Sequence, residues 1–294
     1  MHAGNTLSKL AFVKIARVRV AEFATPVTAL VCDGALYDVA LLEVATGRPD
    51  RGGDFFERVV AGRAAGFGEL HARLLAGRRA TEARIVEGEF LPLAPCDGAR
   101  GAYVQLGPSD LDTEEPAFES RDSRAFVGDA QPVVIRAQSV VASVGLAVML
   151  AEDLEAAGPL EALRAVLGWT LIIEWSHGDA AKTGRPRPAS TLGPWLVLQP
   201  NLAGVLGKSL ALRHRGELRM TDAVDARAFT VGESLAFLSH HVALRAGDVV
   251  GLGCARGGRV QLAAGERIHV ELPGVMSLEG WTSELPVATA WRAS

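Results

Sequence analysis

Cysteine is scarce in this chain, with only Cys32, Cys96 and Cys254 among 294 residues and no CxxC pair. An odd set without a CxxC pair reads as reduced thiols of a cytoplasmic protein rather than as a disulfide framework. No run of about 18 apolar residues is present, which argues against a transmembrane helix. The polar start Met1–Leu10 has neither the apolar stretch nor the cleavage site of a signal peptide. Charge of one sign is not in excess: 30 Lys and Arg stand against 34 Asp and Glu, a formal net charge of −4. That balance gives no general reason to expect nucleic acid or an anionic membrane as partner. The P-loop, the GxSxG elbow, HExxH and a strand-borne GxGxxG are all absent, as are internal repeats.

What is present is ordinary globular material. Apolar residues make up 49% and charged residues 22%, enough to bury a sizeable core and too apolar for disorder. Heavy use of Ala, Arg and Gly suggests a high-GC bacterial source. Residues 11–20, AFVKIARVRV, alternate as a half-buried strand does, and 27–39 read as two strands around Asp33-Gly34. From Asp54 to Arg79, apolar residues recur at helical spacing, with Gly62, Gly66 and Gly68 segmenting the helix. Residues 1–80 are therefore expected to form a small α+β lobe. Residues 84–95 read as one strand, and 107–129 as loop.

From Gln131 onward, strand-like runs follow one another: PVVI, SVVASVGLAVML, WTLIIEW, WLVLQ, LALRHRGEL, AGDVVGLG and ERIHVEL. Only 159–166 and 231–241 look helical. Many strands and few helices indicate a mainly β, rolled architecture over 84–294, making the whole chain α+β. GLGCARGG at 251–258 is too glycine-rich for a strand interior, and reads either as a tight loop between strands or as a ligand-cradling loop.

Several segments together resemble the fumarylacetoacetate hydrolase family. LGPWLVLQP at 192–200 is similar to its Leu-Gly-Pro-Trp segment; RGELRM at 215–220 and FTVGESLAFLSHHVALRAGDVVGLG at 229–253 resemble its strand, helix and Gly-Asp-Val turn. LAAGERIHVELPG at 262–274, PAFESRDSRAFVGDAQPVVI at 116–135 and GWTLIIEWSHGD at 168–179 extend the resemblance over about 84–280. It implies a homodimer of β-roll subunits acting on small-molecule 2-oxo, enol or 1,3-dicarbonyl acids. It also implies Mg²⁺, Mn²⁺ or Ca²⁺ held by a Glu-x-Glu pair and an Asp.

Those three ligand positions fall on Ser143, Gly145 and Glu174. Hard cations need several anionic oxygens, so one carboxylate makes a poor site and no metal cofactor is expected. Other positions depart as well. The family's entry-loop Lys falls on Arg121 and the Thr of its Gly-Thr-Pro on Cys254. The Asn and Gln around its Gly-Glu turn fall on Arg215 and Met220. Its Gly-Lys-Ser lysine has no aligned match, Lys182 being nearest, and its lid His has no counterpart between 96 and 120. Gly193, Pro194, Gly216, Glu217, Gly247 and Asp248 match, and these shape turns.

The candidate catalytic residues are Glu174, His177 and Lys182. Glu174 lies on an apolar run and reads as an acid or base, or as a paired carboxylate. His177 can exchange protons near neutral pH if the chain turns at Gly178. Lys182, Arg185 and Arg187 form a basic loop suited to carboxylate capture or to solvent. Arg121, Arg187, Trp195 and Cys254 are the candidate substrate-binding residues, Trp195 as pocket wall and Cys254 as a small packed thiol. His240 and His241 cap a helix C-terminus, while Glu152, Asp153 and Glu155 read as solvated charge. The expected function is proton transfer, or C–C bond making or breaking, on an enolisable keto or 1,3-dicarbonyl compound without a metal. One alternative is a non-catalytic pseudoenzyme that binds a ligand or pairs with an active homologue. Another is a metal site rebuilt from Glu174, Asp179 and the acidic 110–115 loop.

Overall fold

Asp33 and Gly34 both adopt left-handed backbone (φ 48° and 77°), the conformation that a two-residue hairpin turn needs. They join β2 (Val27–Cys32) to β3 (Ala35–Asp38), and β2 pairs antiparallel with the preceding β1 (Lys14–Arg19). This is a computed structural model. It describes residues 12–284 except 22–23, 51, 77–80, 87, 89, 97–101, 107–117, 123–125, 136–138, 177–187, 200–201, 206 and 225–228.

Two helices follow the hairpin. A short α1 (Val39–Ala45) starts at Asp38, whose side chain accepts the N–H groups of Ala40 and Leu41; the sequence reading did not anticipate it. A capping box between Asp54 and Glu57 starts α2 (Phe55–Leu75). That helix kinks at Arg63 (φ 44°), next to Gly62, in keeping with the expected segmentation. No helix among the described residues is long and apolar enough to cross a membrane.

The expected strand at 84–95 divides into β4 (Arg84–Ile85) and β5 (Leu91–Leu93). β6 (Ala102–Leu106) follows, and within 107–129, where loop was expected, the chain forms β7 (Phe118–Asp122) and β8 (Phe126–Val127), short strands that pair along the large sheet. Then come β9 (Pro132–Ile135), β10 (Ser139–Leu150), α3 (Pro159–Arg164), β11 (Val166–Ser176), β12 (Ser190–Leu192) and β13 (Trp195–Val197). The hairpin β14 (Ser209–His214) and β15 (Glu217–Ala223) turns at Arg215-Gly216, again both left-handed (φ 52° and 79°).

A Thr230–Glu233 capping box opens α4 (Val231–His241). At its far end His240 and His241 bond through Nδ1 to the carbonyls of Ala236 and Phe237, as helix-capping residues do. The chain ends with β16 (Val249–Ala263), β17 (Arg267–Leu272) and β18 (Met276–Glu284).

The strands build two sheets. One runs β4-β3-β2-β1-β13-β11-β10-β16-β6-β7, so the N-terminal hairpin continues the same ladder as the central strands; the other runs β15-β14-β17-β18-β9. One core lies between the sheets, where Val140, Val144, Leu146, Trp169, Ile173 and Trp175 meet Leu212, Val270 and Leu278. A second core lies on the opposite face of the large sheet, where Ala147, Met149 and Ile172 meet Phe55, Phe67 and Leu70 of α2. The buried side chains of Cys32 and Cys96 belong to this second core. The arrangement is mainly β with few helices, an α+β fold.

The turn before β9 carries a half-buried carboxyl. Burial pushes the Asp129 carboxyl above the usual carboxylate range, and nearby Glu279 adds to that, against the backbone N–H of Glu279 that Asp129 accepts at 2.7 Å. A raised folded-state pKa gives stability that is fully present below the ordinary Asp value and lost as pH rises through the folded value. Asn keeps the acceptor and cannot ionise. Asp129→Asn is therefore expected to raise Tm by a few degrees at pH 8, with the gain vanishing by pH 3. Equal gains at both pH values would refute this assignment.

Candidate functional site

The pleat of β10 sorts its residues onto two faces. Val140, Ala142, Val144, Leu146 and Val148 enter the inter-sheet core, whereas Ala147 and Met149 enter the second core. Ser143 and Gly145 share the second face by alternation. On β11, Trp169, Leu171, Ile173 and Trp175 face the inter-sheet core, so Ile172 and Glu174 share the face of Ser143. In the ladder Ser143 pairs directly with Glu174, and Gly145 with Ile172. The three positions picked out by the resemblance are thus neighbours on one surface.

Glu174 is 6% exposed and Ser143 9%. Ser190 of β12, buried beside Glu174, donates its hydroxyl to Glu174 Oε2 at 3.3 Å. On the other side of β10, β16 is one long strand rather than two strands around a loop, which corrects the reading of 251–258. Its register is irregular there: Cys254 pairs with Gly145 and Arg259 with Ser143, so the two-residue step in β10 is matched by five in β16. The glycine-rich segment is a bulge in the strand next to Ser143 and Gly145. One row therefore reads Ser190, Glu174, Ser143, Arg259 across four strands.

A divalent metal does not fit this row. Position 143 offers a hydroxyl, position 145 no side chain, and Glu174 is one carboxylate already bonded by Ser190. Among the described residues no group of three or more His, Cys, Asp or Glu could hold an ion. Glu152 and Asp153 are engaged at the surface, with Arg63 at 2.9 Å and Arg245 at 3.1 Å. The backbone N–H of Ala246, then Arg245, holds the Asp153 carboxyl below the usual range.

The other sequence-derived candidates divide into three groups. Cys254 stands opposite Gly145, and Arg121 lies on the edge strand β7 opposite Tyr103. His177, Lys182 and Arg187 lie outside the described residues, as do Asp179 and the 110–115 loop. Trp195 does not share the Glu174 face: it packs against the inter-sheet core and the hairpin core under Lys14, whose Nζ is 5.4 Å from the ring centroid. Burial pushes the Lys14 ammonium down from its ordinary pKa, and its Nζ donates to the Val275 carbonyl. Trp195 is thus a wall between cores, because strand alternation turns it with Val197.

Sequence reasoning missed Ser190 and Arg259. Nothing local marks Ser190. For Arg259, the alternation of RVQLA, with Val260 and Leu262 facing the inter-sheet core, was a readable signal. A cleft of about 350 Å³ beside Arg17 and Thr28, and one of about 470 Å³ beside Arg213 and His269, are not lined by Glu174.

Solved structures of a hydrolase and an isomerase share this overall fold. A 2-hydroxyhepta-2,4-diene-1,7-dioate isomerase from Mycobacterium marinum superposes with TM-score 0.67 at 16% identity, over 93% of this chain and 99% of that one. A maleylpyruvate hydrolase from Sphingobium sp. SYK-6, in complex with manganese(II) ion and pyruvate, gives TM-score 0.69 at 15% identity, over 92% and 99%. In sequence, an uncharacterised protein from Pyrococcus horikoshii is 25% identical over 183 residues, 56% of this chain and 77% of that protein. The fumarylacetoacetate (FAA) hydrolase C-terminal model matches residues 99–281. The chain belongs to the fumarylacetoacetate hydrolase family.

Proposed function

We propose that this protein is an enzyme acting on an enolisable keto or 1,3-dicarbonyl acid, with no divalent metal at the face of Ser143, Gly145 and Glu174. One observation carries the reading. The ladder brings the three positions together, and they present one buried carboxylate instead of three. One carboxylate, buried beside Ser190 and Ser143, suits proton transfer better than metal ligation.

Glu174 takes a proton from the carbon beside a carbonyl, and the C–H electron pair moves into the carbonyl to give an enolate. Returning the proton to a different carbon completes a tautomerisation. When a C–C bond of a 1,3-dicarbonyl breaks instead, Glu174 takes the proton from a water whose oxygen bonds to one carbonyl carbon; the adduct expels the other fragment as an enolate, which takes up that proton, and the attacked fragment leaves as a carboxylic acid. Fixed cations must balance the enolate oxygen. Arg121, Lys182 and Arg187 are the sequence's candidates, with His177 as a second base. The described chain on either side of 177–187 ends at Ser176 and resumes at Pro188, next to the Glu174 row, which supports this assignment.

The test is elemental analysis of protein purified without chelator, together with exchange of the methyl protons of pyruvate in D₂O followed by NMR. Substoichiometric metal and exchange that persists in EDTA are expected. Full Mg²⁺ or Mn²⁺ occupancy with exchange abolished by EDTA would overturn the metal-free reading. No exchange, and no turnover across a keto-acid panel, would favour the non-catalytic alternative.

A further inference from the structure

We propose that Arg259 is the anion-binding residue of the Glu174 face, taking the carboxylate and neighbouring carbonyl oxygen of a 2-oxo acid. The inference rests on the proposed reading of Glu174 and adds a residue to which neither the motifs nor the resemblance pointed.

The ladder places it. Arg259 pairs with Ser143, which pairs on its other side with Glu174. Residues opposite one another in antiparallel strands project to the same face. Val260 and Leu262 turn toward the inter-sheet core, so Arg259 is turned the other way, with Glu174. Neighbouring Cα atoms in such a ladder are about 4.5–5.5 Å apart, which puts Glu174 and Arg259 roughly 10 Å apart with only a serine between them. A ligand of a few heavy atoms spans that gap, with its carboxylate at one end and its acidic C–H at the other.

The charge pattern agrees. Arg58, Arg63, Arg73, Arg215, Arg245 and Arg267 are each paired with a carboxylate. Arg259, like Arg17, Arg19, Arg84, Arg164 and Arg213, has neither an ion pair nor a hydrogen bond among the described residues, so its guanidinium is open to a ligand and its place beside Ser143 is what sets it apart. The row grades from buried Glu174 to exposed Arg259. The β16 bulge ends at Arg259 and opens the ladder beside Ser143 and Gly145, where side chains are smallest. A guanidinium there disfavours a divalent cation and matches a planar 2-oxo carboxylate through two parallel N–H donors. The same fixed charge then faces the enolate oxygen formed when Glu174 removes the proton.

Chelator-treated full-length protein titrated calorimetrically with pyruvate tests this. Wild type is expected to bind, and Arg259→Met to weaken Kd by about tenfold or more, the loss of one charge-assisted contact. Arg259→Lys should recover part of the loss. Arg63→Met, which removes a surface arginine paired with Glu152, should bind as wild type does. Unchanged affinity in Arg259→Met would overturn the inference while leaving the keto-acid reading standing. So would binding that needs Mn²⁺ and survives Arg259→Met. If wild type binds no pyruvate with or without Mn²⁺, the reading of the face fails and this inference fails with it.

Discussion

Replacing Glu174 by glutamine is expected to slow methyl-proton exchange of pyruvate by about 10²–10⁴-fold, the usual contribution of a positioned general base. The substitution keeps the shape of the side chain and leaves an oxygen to accept the Ser190 hydroxyl, so the buried row stays packed. Tm should therefore change little while the rate collapses. Pyruvate affinity should hold as well, since the carboxylate of the ligand is assigned to the opposite end of the row. A Glu174→Gln protein that exchanges at the wild-type rate would remove Glu174 from the chemistry and leave His177 as the base to test.

The largest effect on stability is expected at Trp175. Its side chain is fully buried between the sheets, and its Nε1 donates to Thr191 Oγ1 at 2.9 Å, itself fully buried. Trp175→Ala removes the ring and leaves that hydroxyl without its donor, at a cost of about 3–5 kcal/mol. Total stabilities are typically about 5–15 kcal/mol, so urea unfolding should shift far toward lower concentration. Gly280 offers a check on the mechanism. A Cβ built there lies 2.9 Å from the Trp175 ring and 2.6 Å from Ile173 Cδ1. Gly280→Ala should destabilise the wild type, and cost distinctly less when Trp175 is already alanine. Strictly additive losses would show that β18 does not pack on this ring.

The legible parts of the fold were those with strong local signals. SVVASVGLAVML was read as a strand, and β10 spans it; Asp33-Gly34 marked a hairpin, and Thr230 with Glu233 capped the expected helix. Short α1 was missed because seven residues carry little periodicity. β18 was missed for a different reason. Its inward positions include Gly280 and Thr282, small or polar because Trp175 fills the space and because Thr282 bonds to the Ala263 carbonyl. Only the facing sheet supplies that reason.

The candidate site followed the same division. From the sequence, read through the family resemblance, came the deficit: serine, glycine and one glutamate at the three positions where the family's metal ligands fall. Composition and residue identity decide this, because no fold can add anionic oxygens to side chains that have none. The tertiary structure decided which groups share a surface. Ser190 lies sixteen residues from Glu174 and Arg259 lies beyond an irregular bulge, yet ladder pairing sets both in line with Ser143. Pairing between distant strands is set by packing across two sheets, and that is why local pattern, which marks only the face of Arg259 and nothing of Ser190, assigns neither residue to the row.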